Sequence, residues 1–358
     1  MTRRIGGDTI LSVAAVFAGL LVAWYLDGHL GAYAVKILKL WGINAILAAS
    51  FILIYGYTGQ FSLGHAGLAA VGAYVLSLCT LTPLQKEMMF ILEPPIWPIS
   101  VLYVPFVPTL LLAGGITAVV GFCIGGPALR LHGDYLLIAT FGFSEIIRLA
   151  FANMPSVVNG AMGLKGVPTH SNLPMVWGIV AITLFCIVRL VRSSYGRALK
   201  AIRDDEIAAE AVGVRLFYHK VMAFVISSFF VGVAGALYAE FLMSVDPRAF
   251  TSVFTYGIIT MVVLGGTGSI TGSVLAAGIY TVMSEWLRTV EDPMVILGFE
   301  KPGTPGARLM VFSLMLLFLI LFYRRGLMGS TEFSWQGLRA GIARLTGRQA
   351  GRTLGRVR

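Results

Sequence analysis

Along this chain, apolar runs recur at lengths that suit helices across a bilayer, and short stretches carrying glycine, proline and charge separate them. A helix needs about 20 residues to cross the hydrocarbon core. The runs are Ile10–Leu26, Ile37–Tyr55, Leu63–Leu81, Val104–Ile124, Tyr135–Ala152, Met175–Val191, Val221–Met243, Phe254–Leu264, Ile270–Leu287 and Leu309–Tyr323. They predict an all-α polytopic integral membrane protein of about ten transmembrane helices, although several runs fall short of a full crossing. Arg3 and Arg4 ahead of the first run look like the start of a secretory signal. Asp27-Gly28-His29 follows in place of a small-x-small cleavage site, so an uncleaved first span is expected.

Two Gly-rich breaks interrupt the apolar pattern, Gly56-Tyr57-Thr58-Gly59-Gln60 and Gly265-Gly266-Thr267-Gly268-Ser269. Each carries Thr-Gly and precedes a small-residue span that reaches an aromatic, Tyr74 or Tyr280. Matching interruptions suggest two related halves around a central pathway. Irregular backbone at membrane depth needs protein or water to satisfy its polar groups. Small residues such as Gly121 and Gly125, or Gly232 and Gly235, suit close helix packing.

Composition strengthens the membrane assignment. Of 358 residues 57% are hydrophobic and 12% charged, whereas a soluble domain keeps about a quarter charged. The net charge of +10 is not spread as a nucleic-acid-binding face would need, because the basic residues gather in particular loops and after Tyr323. With the N-terminus inside, the inside segments hold Arg3, Arg4, Arg130, Arg192, Arg197, Lys200, Arg203, Arg215, Lys220 and the tail arginines. The outside segments hold Lys36, Lys39, Lys86, Lys165, Arg248, Arg288, Lys301 and Arg308. That asymmetry fits the positive-inside rule with an even number of crossings and both termini cytoplasmic. After Tyr323 come eight arginines and one acid, Glu332. Arg339, Arg344, Arg348, Arg352 and Arg356 recur every four or five residues, which suits a poorly ordered tail held at anionic lipid headgroups more than a specific partner site. Cys79, Cys123 and Cys186 lie in apolar stretches and are expected to be packing residues.

The most informative polar segment is the inside loop at about residues 193–219. Asp204, Asp205 and Glu206 suit a helix N-terminus, and Gly213 suits its stop. Between them Ile207, Ala208, Ala211 and Val212 share one face, opposite Glu206 and Glu210. Such a helix is either a docking knob for another protein or a solvated connector.

The chain resembles the permeases of branched-chain amino acid ABC transporters, of the LivM type. The likeness is carried by Gly56-Tyr57-Thr58-Gly59-Gln60-Phe61-Ser62-Leu63-Gly64-His65-Ala66, Gly133-Asp134-Tyr135, Phe143-Ser144-Glu145-Ile146-Ile147-Arg148-Leu149, Gly196–Val214, Gly232-Val233-Ala234-Gly235-Ala236-Leu237 and Val263-Leu264-Gly265-Gly266-Thr267-Gly268-Ser269. It runs from about Ile37 to Arg325. One departure is Asn159-Gly160-Ala161-Met162-Gly163, where the family would have Thr-Gly-Gly before the final glycine.

The resemblance implies an N-terminal segment (1–36) with the first span, a permease domain (37–325) and the basic tail (326–358). It implies a non-enzymatic subunit of an ATP-driven importer for branched-chain or related hydrophobic amino acids, in a bacterial inner membrane. Its partners would be a second permease subunit, two cytoplasmic ATPases that hold ATP and Mg, a periplasmic binding protein and membrane lipids, with no nucleic acid and no cofactor or metal in this chain. Arg203, Asp204, Glu206, Ile207, Ala208, Ala211, Val212 and Gly213 would couple it to an ATPase.

Candidate pathway residues are Thr58, Gly59, Gln60, Ser62, His65, Glu145, Gly266 and Thr267. Each has a plainer role open to it. Glu145 and Arg148, three apart, can form a structural ion pair or serve a gate. His65 can pack neutral among small residues or titrate. Thr58, Gln60 and Ser62 can meet a zwitterion or satisfy broken-helix backbone. Glu240 and Glu285 are expected at the outer interface. Alternatives for the whole chain are an ABC permease for urea or short-chain amides, or an ion-coupled secondary transporter. The second would need buried carboxylates near the midplane, where this sequence offers little beyond Glu145. There is no Gly-x-x-x-x-Gly-Lys-Ser/Thr, His-Glu-x-x-His, Gly-x-Ser-x-Gly or Cys-x-x-Cys to support an active site.

Overall fold

The computed structural model describes residues 5–90, 93–131, 133–291, 294–296, 299–301, 306–322, 326–329 and 331–332. The helices are α1 (Ile5–His29), α2 (Ala32–Thr58), α3 (His65–Thr80), α4 (Pro83–Met89), α5 (Phe106–Ala128), α6 (Asp134–Ala152), α7 (Pro155–Val158), α8 (Leu173–Arg192), α9 (Ser194–Asp204), α10 (Glu206–Ala211), α11 (Leu216–Leu242), α12 (Ser252–Gly265), α13 (Ile270–Glu291) and α14 (Ala307–Phe322). Two short 3-10 helices (Gly160–Met162 and Pro247–Ala249) and two antiparallel strand pairs are also present, β1 (Leu164–Lys165) with β2 (Ser244–Val245), and β3 (Met294–Ile296) with β4 (Phe299–Lys301).

Every predicted apolar run falls on one helix. Among the described residues six helical segments are long and apolar enough to cross a membrane, and a seventh is α3 joined to α4 through a 115° bend. The bend has a local cause. Thr82 and Gln85 form a capping box and Pro83 occupies the first turn of α4, so a new helix starts where the old one ends. The chain is an all-α polytopic membrane protein.

The helices alternate between two ends. The close of α2, the starts of α11 and α13 and the close of α12 meet at one end, together with α9 and α10. At the other end lie the β1–β2 pair and the loop clamped by Glu240, which accepts from His170 N and Ser171 N. Glu240 thus lies near the end of its helix, and it is buried there, its carboxylate satisfying loop amides that α8 has not yet absorbed.

The core is α2, α3 and α11. Gly72 faces the Gly232 carbonyl and Gly235 faces the Ala69 carbonyl so closely that a Cβ at either would strike backbone. In a bilayer such close approach of small residues is what brings helices together, since lipid is as apolar as leucine. Polar bonds tie α2 to its neighbours: Ser227 Oγ of α11 donates to Ser50 O at 2.7 Å, and Asn44 Nδ2 to Thr281 Oγ1 of α13 at 2.8 Å. Of the cysteines, Cys79 is buried, but Cys123 and Cys186 are exposed on helix faces, so packing within the subunit accounts for Cys79 alone.

Candidate functional site

The inside loop of the sequence folds as two helices, not one. Ser193 caps α9, accepting from Gly196 N. Asp205 is extended (φ −161°, ψ 113°) and breaks the helix, and its carboxylate then accepts from Ile207 N at 2.9 Å and Ala208 N at 3.0 Å to start α10. This corrects the reading of Asp204–Glu206 as a single helix start. Asp204 is the last residue of α9, at the unfavourable end of that helix dipole, and Arg203 compensates by pairing with it at 2.7 Å. Asp205 is the cap and Glu206 the first residue of α10.

Gly213 ends α10 with φ +87°. Val214 N donates to Ala209 O at 3.1 Å and Gly213 N to Glu210 O at 2.9 Å, the paired bonds of a Schellman stop, which a side chain at Gly213 would strain.

The knob so formed is anchored underneath and bare on top. Ala209 is buried, and Glu206 pairs with the buried Lys220 of α11 at 2.7 Å. Ile207 is 82% and Val212 79% exposed, with Ala208 and Ala211 exposed beside them. Two exposed aliphatics on a polar loop bury nothing within this subunit.

The knob reaches the first break through α9. Arg203 Nη1 donates to Gly56 O at 3.0 Å, and Lys200 Nζ stands 5.5 Å from the centre of the Tyr57 ring. Gly59 ends α2 with φ +74° and lies against the Arg203 side chain, where Gly59 N donates to Tyr55 O and Gln60 N to Ile54 O. Gly56 in turn faces the Thr267 carbonyl so closely that a Cβ would collide with it. The two Gly-rich breaks therefore touch, and Gly266 (φ +105°) turns the second one away from α12.

Beyond Gln60 the first break runs into the bundle and restarts as α3. Its free amides are met by hydroxyls from elsewhere in the chain. Leu63 N donates to Thr140 Oγ1 (3.1 Å), Ala66 N to Thr255 Oγ1 (3.1 Å) and Gly67 N to Ser144 Oγ (2.8 Å). Ser62 Oγ accepts from Gly64 N, and Thr58 Oγ1 donates to Leu53 O. Thr58 and Ser62 thus satisfy local backbone. Thr140 and Ser144, four apart on α6, carry the helix-period signal of one face, but nothing in the sequence marks Thr255 as their companion. Gln60 and His65 are buried, and neither their amide nor their ring nitrogens have a partner among the described residues. Phe51 packs edge-on to the His65 ring at 4.8 Å.

Glu145 and Arg148 form an ion pair at 2.7 Å, each side chain about a quarter exposed. They sit on the flank of α6, between the edge that meets α3 and an open face of Tyr135, Ile138, Ile146 and Leu149. The structure does not bring this pair to Gln60 or His65. Among the described residues no three His, Cys, Asp or Glu side chains gather to hold a metal. The tail arginines from Arg339 onward lie outside the described residues.

Broken, capped helices inside a polytopic bundle, with an anchored knob at one end, define a membrane transport subunit and not a soluble binding module. The branched-chain amino acid transport system / permease component family matches residues 33–322, and the chain belongs to that family. The high-affinity branched-chain amino acid transport system permease protein LivM of Escherichia coli strain K12 is 31% identical over 329 residues, covering 82% of this chain and 73% of that protein. The probable branched-chain amino acid transport permease protein LivM of Methanocaldococcus jannaschii is 27% identical over 60% of this chain and 66% of its own length. The L-arabinose transport system permease protein AraH of Escherichia coli strain K12 is 31% identical over 42% of this chain and 44% of its own. No solved structure matches the chain.

Proposed function

We propose that this chain is the membrane permease subunit of an ATP-driven importer for branched-chain or related hydrophobic amino acids, and that α9–α10 is its ATPase-coupling element. The observation that carries the reading is the knob, with Ile207 and Val212 bare above an anchor of Ala209 and the Glu206–Lys220 pair. A surface connector has no need of such an anchor, whereas an element that transmits force does. Arg203, Asp204, Ala208, Ala211 and Gly213 complete it, Arg203 by its bond to the first break.

In this reading the chain crosses the inner membrane ten times with both termini cytoplasmic. The alternation of helix ends brings Glu332 to the α9–α10 end, in line with an even count. Two related halves, α2–break–α3 and α12–break–α13, meet at Gly56 and Thr267. A second permease subunit covers the α6 flank, because a quarter-exposed ion pair is costly against lipid. ATP and Mg reside in two cytoplasmic ATPases, a periplasmic protein delivers substrate, and this chain performs no chemistry. ATPase closure moves the knobs and alternates access to the pathway.

Ala208→Glu tests the coupling role. A carboxylate on the exposed face costs the free subunit little but is unpaired in a docking groove, a penalty of about 2–5 kcal/mol. The variant is expected to reach the membrane in normal amount and to lose ATPase co-purification and uptake. Normal uptake would return α10 to the role of a connector.

A further inference from the structure

Beyond α14 the described residues 326–329 and 331–332 lie against the α9–α10 end. Leu327 N donates to Leu264 O at 2.8 Å and Met328 N to Gly265 O at 3.1 Å, so this segment takes up carbonyls that α12 leaves open at its close. Glu332 then accepts four hydrogen bonds: from Tyr57 Oη at 2.9 Å, Ile270 N at 2.7 Å, Thr271 N at 3.3 Å and Thr271 Oγ1 at 3.0 Å. One carboxylate thereby spans the last turn of α2 and the first turn of α13. These are the helices on either side of the contact between Gly56 and Thr267. Amides at a helix start favour a carboxylate over any neutral partner, and Glu332 is the one acid among the eight arginines that follow Tyr323.

The same Tyr57 lies under Lys200, and its neighbour Gly56 accepts from Arg203. A continuous set of contacts therefore runs from α9 through Gly56 and Tyr57 to Glu332 and on to α13. We propose that Leu327, Met328 and Glu332 form a clasp and that Glu332 is a positioning residue, holding the two breaks together here and releasing α13 when α9 displaces Tyr57. Glu332 is exposed at the end of the bundle, so release returns its carboxylate to water and strands no buried charge. The segment is the only described link by which the chain beyond α14 reaches the breaks. The clasp stands on its own geometry, and its consequence for coupling rests on the transport reading above.

Two measurements on Glu332→Ala and Glu332→Gln separate these levels. The first is hydrogen exchange of the subunit alone in nanodiscs. Glu332→Ala is expected to speed exchange of the Ile270 and Thr271 amides by about tenfold, with α3 and α11 unchanged. Glu332→Gln, whose Oε1 still accepts from Tyr57 Oη and Ile270 N but whose amide nitrogen would face Thr271 N, is expected to restore protection at Ile270 and not at Thr271. The second is hydrolysis by the assembled transporter with and without its binding protein. Glu332→Ala is expected to bring the stimulated-to-basal ratio close to one while assembly is kept, and Glu332→Gln to restore it. Unchanged exchange in Glu332→Ala would overturn the clasp. Faster exchange with a normal ratio and normal uptake would overturn its role in coupling. If the wild-type subunit binds no ATPase, the transport reading fails, and the exchange result alone decides the clasp.

Discussion

The two Gly-rich breaks face the same physical problem and solve it differently. Both end a helix on a positive-φ glycine, Gly59 and Gly266, and both must satisfy backbone groups that the helix ladder no longer reaches. The first is met from inside the bundle by the hydroxyls of Thr140, Ser144 and Thr255. The second is met from the chain end, by the backbone of Leu327 and Met328 and the carboxylate of Glu332. Buried neutral hydroxyls cannot let go without leaving amides unpaired in an apolar interior. An exposed carboxylate can exchange its partners for water. The comparison assigns a fixed hinge to the first break and a releasable contact to the second.

The largest effect on that comparison is expected where the breaks touch. Gly56→Val would drive a branched side chain into the Thr267 carbonyl and the Ile52 side chain. Overpacking against backbone costs about 3 kcal/mol, and the expected outcome is a sharp fall in membrane-inserted protein and in the Tm of what remains. Wild-type yield and Tm would mean that the breaks do not abut.

A smaller effect is expected at the fixed break. Ser144→Ala leaves Gly67 N without an acceptor, and Thr255→Val does the same to Ala66 N, each costing about 1–3 kcal/mol. Thermal unfolding in detergent should report both losses, and their sum in the double variant should be close to additive. Glu332→Ala should move the Tm least of all and the coupling most. A Tm loss in Glu332→Ala as large as in Ser144→Ala would erase the distinction between the two breaks.

Much of the scaffold was legible in the sequence because a bilayer demands long apolar segments, and that demand leaves a plain signature. Leu63–Leu81 lies on α3 (His65–Thr80) and Phe254–Leu264 on α12 (Ser252–Gly265). The stop at Gly213 was equally plain, since only a positive-φ residue closes α10 in that way. The start was misread because three acids in a row resemble one cap. The backbone shows that Asp205 alone does the capping and Asp204 belongs to the helix before it.

The arrangement of the site was less legible. Thr255 lies 189 residues from the amide it caps, and Glu332 lies 275 residues from Tyr57. Contacts of that separation follow from helix packing and leave no local pattern. The single acid in a basic tail was visible all the same, and electrostatics favours a place for it at a helix start.

Coupling through α10 requires an exposed cytoplasmic face that an ATPase covers, and cysteine accessibility tests this most directly. Cys79, Cys123 and Cys186 would first be changed to alanine or serine, since two of them are exposed. Ile207→Cys and Val212→Cys would then be treated with a membrane-impermeant maleimide in inside-out vesicles and in spheroplasts. Rapid labelling is expected in inside-out vesicles only, with strong protection once the ATPase is co-expressed. Labelling in spheroplasts, or equal labelling with and without the ATPase, would contradict coupling through α10.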